Sequence, residues 1–222
     1  MMNNETISSV KEIKCVILND KTEICLIDHY DISISFISEG KTISNLPIDY
    51  PSADYGGGSL YLSPTGSYLL FAYYSRLSQE AFILFKISDC NLLAVYEWPY
   101  SWGEAANYIF SQDEKLLIQS LPKDRTLWNW KWYVEQGCYQ LDKDGVLFFV
   151  FGYINILDIE NMVMSQHEIR IYPSEAAENF SERSWNPFIP LKLTDPNTLK
   201  ISMPWGDETL VLPLMETLVF GI

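Results

Sequence analysis

"SLYLSPTGSYLL" at residues 59–70 and "NYIFSQDEKLLI" at residues 107–118 align without a gap at an offset of 48, and this repeat decides how the chain is read. Each is an apolar run, a polar turn opened by a serine (Ser63, Ser111) and a second apolar run. Apolar side chains at every second position, interrupted by turn-forming residues, are the pattern of two antiparallel strands joined by a tight turn. A serine at such a turn bonds the backbone two residues further on, so Ser63 and Ser111 are expected to close their turns in that way. Weaker copies occur in "CVILNDKTEICLI" (15–27), "CYQLDKDGVLFF" (138–149) and "LKLTDPNTLKISM" (191–203), each with Asp, Asn, Pro or Gly between apolar runs. The chain is expected to be a series of hairpins.

The first clear unit continues through "AFILFKI" (81–87), the turn "SDCN" (88–91) and "LLAVYEW" (92–98), which supply two further strands. Recurring four-stranded meanders of roughly 45–50 residues are the signature of β-propeller blades. The stretch from "YLSPTG" to "AVYEW" resembles a blade of the WD40-like or TolB-like propellers, whose blades carry an "FSPDG" turn, and "IFSQDEKLLI" is similar to the same element. The resemblance covers residues 55–135; no Gly-His pair precedes the unit and no Trp-Asp pair ends its third strand. It implies an all-β protein in one domain spanning residues 1–222, a small propeller-like array of four or five irregular blades. An open meander of packed antiparallel sheets is the alternative.

In the second unit the offset assigns a third strand to "LWNWKWYVEQG" (127–137). Trp130 then matches Phe82 and Trp132 matches Leu84, so both are expected in the core, with Trp128 partly exposed at the strand's start. The glycines of "YGGGS" (55–59) lead into a strand rather than a helix, so they are expected to form a crossing between blades and not a phosphate cradle. "PSEAAENFSER" (173–183) has a proline, the N-cap candidate Ser174 and early acids, which predicts a short helix near 174–183. The tail "LVLPLMETLVFGI" reads as strand.

The net charge is −14, from 29 acidic and 15 basic residues. Such a field repels nucleic-acid phosphates and anionic membranes and attracts basic partners. The start has no basic segment followed by an apolar one, and the longest apolar runs are too interrupted to span a bilayer. Cys15, Cys25, Cys90 and Cys138 form no C-x-x-C pair, which predicts reduced core thiols and a cytoplasmic protein, although Cys15 and Cys25 flank a probable turn and can approach each other.

No motif of catalysis or cofactor binding stands out, so no enzyme activity, cofactor or metal is expected. His29, between Asp28 and Asp31, and His167, beside Glu168, read as ordinary surface or strand-edge residues. No pair among the acids is singled out as catalytic. In a propeller, the loops before each first strand and between second and third strands emerge on one rim, where function concentrates. That set carries Tyr50, Asp54, Tyr55, Glu80, Trp98, Tyr100, Trp102, Glu104, Asp124 and Trp128. Aromatic anchors beside acids suit a basic protein partner. The expected function is a non-enzymatic interaction module, of the inhibitor or immunity type. A carbohydrate-binding or glycan-hydrolysing domain and an assembly scaffold are the alternatives, so a glycan or other small molecule stays open as a ligand.

Overall fold

The two repeated turns are built alike. Ser63 N donates to Tyr68 O at 3.0 Å, and Ser111 N donates to Leu116 O at 2.9 Å. Both serine hydroxyls are buried and accept a bond from the amide five residues on, Tyr68 N and Leu116 N, each at 2.9 Å. The bond spans the whole turn rather than the two residues expected, because the turn folds back until the next strand's first amide meets the hydroxyl. The strands leaving these turns keep the offset of 48 in their pairing: Leu62 faces Leu69 as Phe110 faces Leu117, and Ser59 faces Ala72 as Asn107 faces Ser120.

The computed structural model describes residues 12–19, 22–28, 33–38, 41–47, 55–75, 80–88, 91–98, 106–122, 130–172, 191–203, 206–212 and 217–221. They form four sheets of a propeller-like, all-β array. The first is the meander β1 (Glu12–Asn19), β2 (Thr22–Asp28), β3 (Ser33–Ser38) and β4 (Lys41–Pro47). The second is β5 (Tyr55–Leu62), β6 (Tyr68–Ser75), β7 (Glu80–Lys86) and β8 (Asn91–Trp98). The third runs β9 (Asn107–Phe110), β10 (Leu116–Pro122), β12 (Leu147–Asp158) and β13 (Val163–Tyr172), with β11 (Gln140–Leu141) paired to the start of β12. The fourth is β14 (Leu191–Asp195), β15 (Thr198–Met203) and β16 (Gly206–Val211). β17 (Thr217–Gly221) does not join it but adds to β13 in parallel, widening the third sheet. The hairpins expected at 15–27, 138–149 and 191–203 are present, and of the tail Thr217–Gly221 is strand, while 213–216 lie outside the described residues.

The third sheet is packed on both faces. Phe110, Leu117, Leu157 and Ile159 meet Leu70, Ala72, Phe82 and Leu84 of the second sheet. Ile118, Ile154, Ile156, Ile169 and Ile171 meet Leu199, Ile201 and Met203 of the fourth. This is why "LFFVFGYINILD" has no polar–apolar alternation: a strand covered on both sides needs apolar side chains on both. β15 alternates instead. Its other face carries Lys200, paired with Asp207, and Ser202, which donates to Asp207 at 2.6 Å.

Several expectations are corrected. The third strand of the second unit is β12, not the Trp-rich stretch: Leu157 faces Leu117 where Phe85 faces Leu69, so the offset has grown from 48 to 72 and 24 residues are inserted. Residues Trp130–Glu135 form the helix α1, and Trp132 is exposed rather than packed in the core. Gly56–Gly58 lie within β5, with a bulge beside Tyr55, and are not a crossing. Cys15 and Cys25 form a disulfide and Cys138 is exposed, so the reduced core thiols are not found among these three; Cys90 lies outside the described residues. The helix expected near 174–183 also lies outside them.

The two turns are clasped to each other. Glu114 occupies the place of Gly66, and both have left-handed backbones, with φ of 57° and 78°. A side chain in that conformation costs about 1–2 kcal/mol. Its carboxylate reaches the neighbouring turn and accepts a bond from Thr65 N. Burial pushes the Glu114 carboxyl up, but hydrogen bonds with Ser63, Ser67 and Thr65 outweigh this and hold it at about 2, from an ordinary 4.5. A depressed pKa means stability that is complete above pH 4.5 and lost as pH falls towards 2, on the order of 3 kcal/mol for this shift. Denaturant titrations of the wild type and Glu114→Gln across this range should therefore converge at acid pH and separate by about 2–3 kcal/mol near neutrality. Glu114→Gly, free of the backbone strain, should lose less than Glu114→Gln. Equal wild-type and Glu114→Gln stabilities at pH 7 would show that the clasp contributes nothing.

Candidate partner-binding site

The clasp marks one end of the second and third sheets, and the opposite end is the rim to which the sequence points. There β5 begins at Tyr55 and β6 ends opposite it at Ser75. There too, β7 begins at Glu80 and β8 ends opposite Glu80 at Trp98. Three of the ten expected residues, Tyr55, Glu80 and Trp98, are thus brought to one end of the second sheet. Tyr50, Asp54, Tyr100, Trp102, Glu104, Asp124 and Trp128 lie outside the described residues.

The inserted residues leave the third sheet at this same end. α1 stops at Gly137, whose left-handed backbone (φ 71°) lets its amide turn back to Val134 O at 2.9 Å, the usual way a glycine ends a helix. The chain then makes β11 and a turn in which Asp142 Oδ1 accepts bonds from Asp144 N at 2.9 Å and Val146 N at 2.8 Å. Gly145, at φ 77°, takes the left-handed place in that turn. β11 pairs with Leu147 and Phe148, beyond the end of β10, whose last residue Pro122 stands opposite Gly152. The excursion therefore projects past the body of the sheet. On it Trp132 is 47% exposed, Tyr139 41%, Leu141 58% and Val146 49%. Four of the large apolar residues exposed among the described ones thus fall within fifteen residues of chain.

The base of the excursion is held firmly. The Phe148 ring lies 5.8 Å from that of Tyr172, and the Arg170 guanidinium stacks over Phe148 at 4.4 Å. Arg170 also pairs with Glu168 at 2.8 Å. Burial, and then the hydrogen bond to Asp142, push the Tyr172 phenol above its ordinary value, and that bond ties the turn to the end of β13. The Val146 amide, first among its partners, keeps the Asp142 carboxyl below the usual range. A patch on a braced support loses little entropy on binding.

Polar groups elsewhere serve other ends. Across the third sheet Gln119 donates to Tyr108 Oη at 2.9 Å, Asn155 to Gln119 at 2.7 Å and Gln166 to Asn155 at 3.0 Å. These rungs satisfy amides buried between the second and third sheets, where an unpaired one costs about 1–3 kcal/mol. His167 is buried on the opposite face beside Ser165 Oγ at 3.1 Å, which corrects its reading as a surface or strand-edge residue; His29 lies outside the described residues. Among the described residues, metal-ligating atoms cluster at Cys15, Glu23 and Cys25.

No protein-family model matches the sequence, and no curated protein matches it. Solved structures similar in fold include a eukaryotic initiation factor (14% identity, TM-score 0.46), over 76% of this chain and 35% of that one. An uncharacterized protein of Listeria monocytogenes EGD-e is similar at 9% identity and TM-score 0.45, over 90% and 54%. The WD40 domain of SCAP from fission yeast is similar at 8% identity and TM-score 0.44, over 94% and 49%. The chain spans between about a third and about half of the length of these structures. Among the described residues no helix is long and apolar enough to cross a membrane.

Of the exposed Trp132, Tyr139, Leu141 and Val146, the sequence singles out only Trp132, and that as a core residue. The signal for the first was present in Gly137, a helix-stopping residue directly after "KWYVEQ", but the alternate tryptophans fit a strand equally well. The exposure makes a direct contrast. Trp132→Ala should change unfolding free energy by no more than about 0.5 kcal/mol, the scale of surface changes. Phe82→Ala, which empties a fully buried site, should cost about 3–5 kcal/mol in the same denaturant titration.

Proposed function

We propose that the protein is a non-enzymatic, acidic interaction module that docks a basic protein on the rim formed by the 130–146 excursion and the neighbouring end of the second sheet. The observation that carries this reading is the exposed apolar group of Trp132, Tyr139, Leu141 and Val146 on a braced projection. Aromatic and aliphatic anchors of this kind supply most of the energy of protein contacts once water is expelled. The surrounding charges are mixed: Lys131 and Lys143 stand among Glu135, Asp142 and Asp144. Attraction for a basic partner comes from the net charge of −14 over the whole chain. That division assigns steering to the global field and residence time to the apolar patch. An inhibitor or immunity-type protein that caps a basic toxin or enzyme is the narrower form of the proposal.

The test separates the two contributions. With a captured basic partner, raising salt from 50 to 300 mM should slow association by at least about tenfold, because steered encounter falls steeply with ionic strength. Trp132→Ala and Leu141→Ala should each chiefly speed dissociation, for a combined loss of at least about a hundredfold in affinity if they are central anchors. Salt-independent association together with undiminished affinity of the double variant would reject the proposal. Quenching of tryptophan fluorescence by a sugar, lost in Trp132→Ala, would move the site to glycan binding.

A further inference from the structure

In the first sheet Cys15 of β1 stands directly opposite Cys25 of β2, and the two are joined as a disulfide. Directly opposed residues of an antiparallel pair point to the same face, and so do residues two apart on one strand. Glu23 therefore shares that face with Cys25, and its carboxylate comes within 4.8 Å of both sulfurs. Cys15 and Glu23 are exposed, whereas Cys25 is buried at the floor. Two sulfurs and a carboxylate oxygen on adjacent strands are a donor set for a borderline-soft cation. Zinc binds thiolate at about 2.3 Å and carboxylate oxygen at about 2.0–2.2 Å, so once the sulfur–sulfur bond is broken the two sulfurs must part and the Glu23 carboxylate close in for the three to share one ion.

We propose that Cys15, Glu23 and Cys25 form a redox-gated site for a thiophilic divalent cation, with zinc as the fitting ion. Two states of the same residues exclude each other. In the oxidised state the sulfurs bond to one another and have no thiolate to offer. A dithiol reductant passes two electrons and two protons to the disulfide by exchange, becoming a disulfide itself, and Cys15 and Cys25 become thiols. The cation then displaces the two thiol protons and is held by two thiolates and the Glu23 carboxylate, with water in the remaining tetrahedral position. Transfer of two electrons from the thiolates to a disulfide oxidant re-forms the sulfur–sulfur bond and releases the cation. Three protein ligands with an open position give a site that exchanges its ion, in contrast to a closed four-ligand structural site. The thiolate ligands favour zinc over magnesium or calcium, which prefer all-oxygen sites.

The test uses the full chain with Cys90→Ser and Cys138→Ser, so that only Cys15 and Cys25 can supply thiolate. After reduction with a phosphine, which leaves no competing thiol, cobalt(II) should bind one to one and produce thiolate-to-cobalt charge-transfer absorption. Zinc should displace it. Binding in weakly buffered solution near pH 7 should release protons, and the oxidised protein should give no signal. Glu23→Gln, a change at an exposed position, should keep the fold and weaken binding by at least about tenfold, the scale on which even outer-shell partners affect metal affinity. Cobalt absorption missing from the reduced chain, or an affinity unchanged by Glu23→Gln, overturns the site.

Discussion

A sheet held between two others must offer apolar surface on both faces, and the array depends on the third sheet meeting that demand. Leu117 and Leu157 face the second sheet while Ile118 and Ile156 face the fourth, each of them almost fully buried. At roughly 1.5–3 kcal/mol for each large side chain fully buried, this double interface contributes strongly to the cohesion of the described residues. Its polar members are admitted only in paired form. Gln119 and Asn155 are nearly inaccessible and answer each other across β10 and β12, with Tyr108 and Gln166 closing the row at either end. A row of this kind works in one register only, so it adds to strand alignment what apolar packing leaves loose.

Stacking alone leaves neighbouring sheets able to slide, and the clasp at Glu114 opposes that motion at one end. Its position in the turn is one that a glycine fills in the preceding unit. The strained backbone there is compensated by the bonds its carboxylate makes with Thr65, Ser63 and Ser67. The departure from the repeat is thus explained by a contact between repeats rather than within one. At the other end the third sheet carries an insertion, which the clasp does not reach and which returns onto the buried start of β12.

Hairpins and their register were legible because their signals are local. A serine, a polar turn and alternating apolar residues act over twelve positions, and the pairing of β5 with β6 and of β9 with β10 repeats at the sequence offset. The third strand of the third sheet was not legible, because the insertion lies where the offset assumes none. Trp130 and Trp132 then fall on Phe82 and Leu84 by count alone, although their segment is a helix. The disulfide was open in the residues, which placed Cys15 and Cys25 across a turn. Composition favoured free thiols, whereas pairing in β1 and β2 makes the two cysteines direct opposites. The parallel addition of β17 to β13 joins residues some fifty positions apart, and no local pattern records it.

An insertion between the second and third strands of a sheet is a low-cost place to build a contact surface. The loop-closure entropy of lengthening a connection grows only slowly, by about 0.6 kcal/mol for each doubling of length. Strands already paired at both of its ends need not move. Here the insertion begins beyond β10 and returns through β11 onto the start of β12, so its final residues are anchored by the same strand that crosses the core. Tyr172 and Arg170 of the neighbouring β13 brace that junction by packing on Phe148 of β12. Exposed apolar groups on a loose loop would collapse onto the nearest surface; on a braced one they stay presented. The strand that crosses the double-faced core thus also fixes where the turn carrying Leu141 and Val146 leaves the sheet.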